Sequence, residues 1–268
     1  MNVTGALRAA PPVLRPHRAW HVVERNLRVY RRTWLVLLTG LLEPIVYLLC
    51  FRVGLAELIG DVDAGAGRIV PYLTFVAPGL LAASMMNGSI FDTTFNVFFK
   101  MRYEHTYDAM LTTPIRVVDV VAGELAWAMG RNGVYATSFF VVMAVAGTLE
   151  SWWAVLAIPA ATLVCFAFGG LGLAMMSFLR SWEDFDRVML VIMPLYLFSA
   201  TFYPLSVYPR WAEIVVQLTP LYHGVTLVRA LTLGDVGPVL MVHVAVLVAL
   251  GCAGLAVANR RLTGRLLA

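Results

Sequence analysis

Six long apolar runs divide the chain, at Trp34–Leu58, Tyr72–Phe99, Leu125–Leu149, Trp153–Leu179, Val188–Tyr203 and Val236–Ala258. A hydrocarbon layer about 30 Å thick takes roughly 20 helical residues to cross, so each run predicts a membrane helix. The expected fold class is all-α, a polytopic membrane protein with six transmembrane helices. No small-residue cleavage site follows the first run, which reads as an uncleaved anchor. Ahead of it, His17–Thr33 repeats Trp20, Val23, Leu27 and Tyr30 at helical spacing among Arg25, Arg28, Arg31 and Arg32. That pattern predicts an amphipathic helix in the inner headgroup layer. Ala9–Pro16 is proline-rich and predicts a mobile tail.

Two segments between the runs have patterns of their own. Phe202–Asp235 is too apolar for a plain loop, yet Pro204, Pro209 and Pro220 interrupt it. The pieces left, Arg210–Leu218 and Leu221–Leu233, are each too short to cross and predict re-entrant or interfacial helices over about 204–235, on the outer side, roofing a cavity. After the second run, Phe99–Thr113 reads FKMRYEHTYDAMLTT. It predicts a short amphipathic helix with Tyr103, Tyr107 and Met110 on one side and Lys100, Glu104 and Asp108 on another. Pro114 ends it and can open the next helix at its first position. Tied directly to two membrane helices and facing the cytoplasm, this helix suits a lever for an external motor; the plainer reading is an interfacial loop helix.

Composition sharpens the class. Of 268 residues, 60% are hydrophobic and 13% charged, about half the roughly 25% of ordinary soluble domains, which excludes a typical cytosolic enzyme. Twenty cations against sixteen anions give +4, but one cation alone is Lys and the Arg cluster near the chain ends, so nucleic acid is not an expected partner. Fifteen cations fall in the N-terminal tail, the second and fourth loops and the C-terminal tail, against four on the other side (Arg52, Arg68, Arg210, Arg229). The asymmetry predicts that both termini are cytoplasmic, and the expected location is the plasma membrane. The organisation is therefore a tail and interfacial helix over 1–33, a membrane body over 34–258, and a cytoplasmic tail over 259–268. Cys50, Cys165 and Cys252 are far apart, lack metal-ligand spacing and read as small apolar fillers.

Candidate chemistry is sparse. There is no GxxxxGK[ST] loop, no HExxH and no nucleophile turn, so no catalytic, cofactor-binding or metal residue is expected on this chain. Ionisable groups inside a bilayer are costly and are functional candidates by default. Glu43 precedes Pro44 in the first run, and either lines a path or bonds a neighbouring helix. Ser84–Asn96 (SMMNGSIFDTTFN) is unusually polar: Ser89, Asp92, Thr93 and Asn96 share one face, Asn87 and Thr94 another, and both a helix interface and a pathway lining fit. Glu124 and Arg131 share a face and either pair with other helices or mark a third helix that begins in the cytosol. Ala245, Ala249 and Ala253, and Gly170 with Ala174, have the spacing of close helix contacts. Tyr47, Phe51, Phe91, Phe95, Tyr196, Phe198, Phe202 and Tyr203 offer rings for stacking on sugars or flat drugs, or for packing and lipid contact. No dense acidic cluster points to a strongly cationic cargo.

Three stretches carry a resemblance: Phe91–Glu124 (FDTTFNVFFKMRYEHTYDAMLTTPIRVVDVVAGE), Ser181–Pro209 and Leu218–Leu231 (LTPLYHGVTLVRAL). Through them the chain resembles the ABC transporter type-2 permease family, in its branch near lipo-oligosaccharide (nodulation-factor) and drug exporters. The resemblance implies six membrane helices with an N-terminal elbow helix over His17–Thr33, paired with a second permease copy or paralogue. It implies a separate ATPase dimer, holding ATP and Mg, docked on a cytoplasmic coupling helix over about 99–113. Tyr103, Glu104, Tyr107 and Asp108 would touch that ATPase, with Lys100 and Arg102 on the same segment. An amphipathic cargo would pass from the inner leaflet outward between the first, second and fifth spans, along Glu43, Tyr47, Asn87, Phe91, Asp92, Phe95, Tyr196, Phe202 and Tyr203. The competing expectations are a channel or structural assembly factor that works without an ATPase, and an enzyme acting on lipids.

Overall fold

The computed structural model describes residues 16–31, 35–65 and 67–266; the expected mobile tail upstream of Pro16, Trp34 and the last two residues of the C-terminal tail lie outside them. The main helices and one hairpin follow in order among the described residues. They are α1 (Pro16–Tyr30), α2 (Leu35–Phe51), β1 (Asp61–Asp63), β2 (Ile69–Pro71), α3 (Tyr72–Arg102), α4 (Thr106–Leu111), α5 (Val117–Val145), α6 (Ala157–Met176), α7 (Asp184–Leu197), α8 (Arg210–Leu218), α9 (Pro220–Leu233) and α10 (Leu240–Leu266).

Three of these are long and apolar enough to cross a membrane: α3, α6 with the 3-10 turn before it (Trp152–Met176), and α10. The pair α8 and α9, bent by 87° at Thr219, makes a fourth if it is one broken span. The other expected spans depart from the length-and-composition pattern for identifiable reasons. Helix α2 gives way after 17 residues to a π-helical turn at Arg52–Ala56. Helix α5 is 29 residues long but begins eight residues before the apolar run and carries Asp119, Glu124 and Arg131. Helix α7 has 14 residues, about 21 Å at 1.5 Å per residue. It stops before Tyr203 because Pro194 interrupts its hydrogen bonding and Ala200 turns left-handed (φ 53°) just beyond it.

The all-α expectation needs one amendment. β1 and β2 pair antiparallel with Val62 opposite Val70. Gly65 and Gly67 turn the hairpin with positive φ, and the Gly65 amide donates to Asp63 Oδ1 at 2.8 Å.

Helix α6 is the hub, with α3, α5, α9 and α10 all packed on it. Small residues permit this, because a Cβ on Gly170 would sit 2.5 Å from the Gly251 carbonyl oxygen, and one on Gly254 would sit 2.4 Å from the Gly170 carbonyl carbon. The seam of α10 is therefore His243, Leu247, Gly251, Gly254 and Ala258, all buried. Ala245, Ala249 and Ala253 face away, since glycine allows a closer backbone approach than alanine.

Candidate functional site

One end of the bundle is organised around a single carboxylate. Glu124 on α5 is 3% exposed and pairs with Lys100 Nζ at 2.7 and 3.0 Å. Asn26 Nδ2 of α1 donates to it at 3.0 Å, and the Tyr107 hydroxyl of α4 donates at 3.0 Å. Lys100 also donates to Asn26 Oδ1 at 3.1 Å. Four separate elements, α1, the end of α3, α4 and α5, thus meet at one buried charge. Burial, followed by the neighbouring Glu124 charge, pushes the Tyr107 phenol well above its usual range, so it stays protonated and remains a donor.

The sequence positions each member. Helix α1 buries Ala19, Val22 and Asn26 against α5, and Gly123 makes room for Val22, whose Cβ lies 2.6 Å from where a glycine side chain would begin. Trp20 and Leu27 stay exposed. Helix α5 opens with Arg116 as its N-cap, in a capping box with Asp119; Pro114 lies in the turn before it and does not open the helix.

The segment expected to form one helix over 99–113 is broken. Helix α3 ends at Arg102, His105 takes a left-handed conformation (φ 49°), and α4 starts at Thr106. The break turns Tyr107 inward, where it is 2% exposed. Of the residues expected to touch an ATPase, Arg102, Tyr103, Glu104 and Asp108 are on the surface, whereas Tyr107 and Lys100 are held inside by Glu124. Direct contact by those two is corrected for that reason. Thr106 Oγ1 donates to Glu104 and accepts from Arg25, lashing the exposed turn to α1.

Farther along α3 lies a cavity of about 670 Å³. It gathers Glu43, Tyr47, Asn87, Phe91, Phe95 and Tyr196 from the expected pathway, and adds Arg131, Tyr135 and Phe139. Glu43 accepts a hydrogen bond from Ser84 at 2.9 Å. The rings are packed among themselves: Phe91 stacks on Phe95 at 4.9 Å, and Phe95 on Phe185 at 4.0 Å.

Three expected pathway residues sit elsewhere. Asp92 is buried beside the cavity, where Arg131 pairs with it and Asn132 and Asn96 each donate at 2.9 Å. A carboxylate taken by three donors is part of a helix interface. It falls in a π-helical turn, Asp92–Asn96, that widens α3 there, a distortion often seen at functional positions. Phe202 stacks on Phe51 at 5.9 Å, and Tyr203 is exposed; neither lines the cavity. Glu124 and Arg131 both pair with α3, on a helix that also extends past its apolar run. Asn26 was overlooked by sequence reasoning, although an uncharged polar residue in line with Ala19 and Val22 is a usable signal.

At the opposite end, Arg229 of α9 is 9% exposed. Its Nε donates to the Phe75 carbonyl at 3.0 Å, and one terminal nitrogen donates to the carbonyls of Ala200 (3.0 Å) and Thr201 (3.2 Å). The guanidinium lies 3.9 Å over the Phe75 ring. Nearby, Arg68 pairs with Glu150 at 2.6 Å and donates to the Leu233 carbonyl.

Comparison with known proteins gives concordant results. The sequence profile of the ABC-2 type transporter family matches residues 17–233. Nodulation protein J of Rhizobium meliloti (strain 1021) is 32% identical over 226 residues, covering 82% of this chain and 84% of the relative. Nodulation protein J of Rhizobium leguminosarum bv. viciae is 31% identical over 229 residues, covering 84% and 86%. The inner membrane transport permease YadH of Escherichia coli (strain K12) is 23% identical over 211 residues, covering 76% and 77%.

Proposed function

The chain belongs to the ABC-2 type transporter family, and on that premise we propose that it is the permease subunit of an ATP-driven exporter. Its fuel comes from a separate ATPase dimer that holds ATP and Mg. The observation that carries the reading is the Glu124 junction. The turn after α3 presents Tyr103 and Glu104 outward, and the short helix α4 presents Asp108 outward and sends Tyr107 inward to a carboxylate shared by α1, α3 and α5. A push on α4 therefore reaches the elbow helix α1 and the membrane-body helices α3 and α5 through one hydrogen-bonded centre.

In this reading α2, α3, α5, α6, α7 and α10 are the six spans, and α1 is an elbow in the inner headgroup layer. Helices α8 and α9 form the outer re-entrant pair, and both termini are cytoplasmic. Two permeases, identical or paralogous, face each other, and their exposed α2 and α7 faces meet the partner or lipid. The coupling contacts are made by Arg102, Tyr103, Glu104 and Asp108, while Tyr107 and Lys100 transmit. The 670 Å³ cavity between α2, α3, α5 and α7 takes the head of an amphipathic cargo, a lipid-linked glycan or a hydrophobic drug, and tilting of the halves delivers it outward.

Purification of the tagged chain in mild detergent tests the proposal. It predicts a cytosolic ATPase retained in a two-to-two assembly, lost when Tyr103 and Glu104 are both changed to Ala. Recovery of the permease free of any ATPase, with unchanged transport in cells lacking candidate ATPases, would refute it.

A further inference from the structure

The charge inside the cavity does not balance. Its lining carries two formally charged groups, Glu43 and Arg131. Arg131 is already neutralised by the buried Asp92, and its other terminal nitrogen donates to the Tyr30 hydroxyl at 3.0 Å. Glu43 is held by one neutral donor, Ser84, and among the described residues no cation pairs with it. The same cavity is lined by Tyr47, Tyr135 and Tyr196, from three different helices, and by Phe91 and Phe95. Glu43 is exposed on the lining of this open cavity, and a reachable carboxylate among aromatic side chains favours a single positive charge. The carboxylate supplies the counter-charge, and the ring faces add cation–π attraction.

Resting on the proposed role of this cavity as the cargo site, we propose that Glu43 is a specificity-determining residue that selects amphiphiles bearing one cationic head, an alkylammonium or protonated amine. A single uncompensated carboxylate matches a monovalent head. An anionic head would meet Glu43 with no free cation to receive it, because Asp92 occupies Arg131. A neutral polyol could hydrogen-bond the carboxylate but would leave its charge uncompensated.

The test uses the full chain in lipid nanodiscs and radiolabelled dodecyltrimethylammonium below its micellar concentration, with binding to empty discs subtracted. Dodecyl maltoside and dodecanoate, with the same chain length but neutral and anionic heads, are the competitors. Wild type is expected to bind the ammonium saturably and at least tenfold tighter than either competitor. Glu43→Gln keeps the oxygen that Ser84 donates to. It should lower ammonium affinity at least tenfold and leave maltoside affinity within twofold. Tyr196→Leu, which removes one ring and no charge, should lower ammonium affinity by a smaller factor, about threefold.

Four results would overturn the inference. They are tighter binding of maltoside or dodecanoate by wild type, ammonium affinity unchanged in Glu43→Gln, loss of the permease pair in that variant in place of lost affinity, or no saturable binding of any amphiphile. The last would also sink the cavity's role as a cargo site, whereas the first three leave that role standing.

Discussion

Glu124 and Arg229 are both buried charges, and both tie α3 to its neighbours, yet they are satisfied by different kinds of partner. Glu124 receives side chains: an ammonium, an amide and a phenol from three elements. Arg229 receives backbone carbonyls, from Phe75 on α3 and from Ala200 and Thr201 after α7. Phe75 and Lys100 are 25 residues apart on α3, roughly 37 Å along the axis at 1.5 Å per residue, so the two sites sit near opposite ends of one rod. Side chains can exchange partners as helices shift, whereas bonds to backbone carbonyls fix the main chain itself. On the proposed transport reading, the Glu124 end is the part expected to move and the Arg229 end the expected pivot.

The comparison can be broken most severely at the ion pair. Glu124→Gln leaves Lys100 buried without its counter-charge, which should cost about 3–5 kcal/mol and appear as a large drop in Tm of the purified permease. Replacing Lys100 and Glu124 together with Met should recover most of that stability, because well-packed apolar groups often substitute for a buried pair. It should not recover ATPase stimulation by cargo. Recovery of both would mean that the pair only fills space.

At the other end, Arg229→Met removes donors to three carbonyls. The expected loss is about 2–3 kcal/mol, with the ratio of transport to ATP hydrolysis unchanged. A lowered ratio would place moving parts at both ends. Tyr107→Phe deletes one hydrogen bond to a charged acceptor and should cost about 1.5–3 kcal/mol, toward the low end because Lys100 remains. Here the coupling ratio should fall even though the fold holds. The raised phenol pKa also has a pH signature. Since the folded group ionises above its ordinary value near 10, its stabilising contribution is complete below that pH and lost as the pH rises beyond it. Wild type should therefore lose stability at alkaline pH more steeply than the Phe variant.

The smallest expected effect lies in the exposed turn just before α4. Tyr103→Ala touches the surface and should change stability by no more than about 0.5 kcal/mol, while weakening retention of the ATPase. If instead Tyr103→Ala proved as destabilising as Glu124→Gln, the division between an outer contact face and an inner transmitting face would fail.

Much of this architecture was legible in the sequence. The apolar runs located every long helix, and the prolines at 204, 209 and 220 marked the bent pair α8 and α9, because a proline cannot bond back to a preceding helical turn yet can open a new helix. Six of the nine expected pathway residues line one cavity. What could not be read is which polar residues find each other across the bundle. By spacing alone Asp92 suits a path or an interface equally, and the partner that decides, Arg131, is 39 positions away. Tyr107 reads as part of one side of an amphipathic helix, and its burial against Glu124, just past the left-handed turn at His105, is visible only in the structure. Helix-period patterns assume a continuous helix, so they fail where a buried partner makes a break worthwhile. The alanine stripe of α10 failed similarly: spacing identified small residues, but the tighter backbone approach chose Gly251 and Gly254.

The account's central claim is that this polypeptide supplies the path and takes its energy from another chain. Sealed vesicles containing the permease with and without its co-purifying ATPase, loaded with ATP on the ATPase side and given a fluorescent amphiphile, test it directly. ATP-dependent accumulation against a gradient is predicted only when the ATPase is present, and accumulation by the permease alone would contradict it.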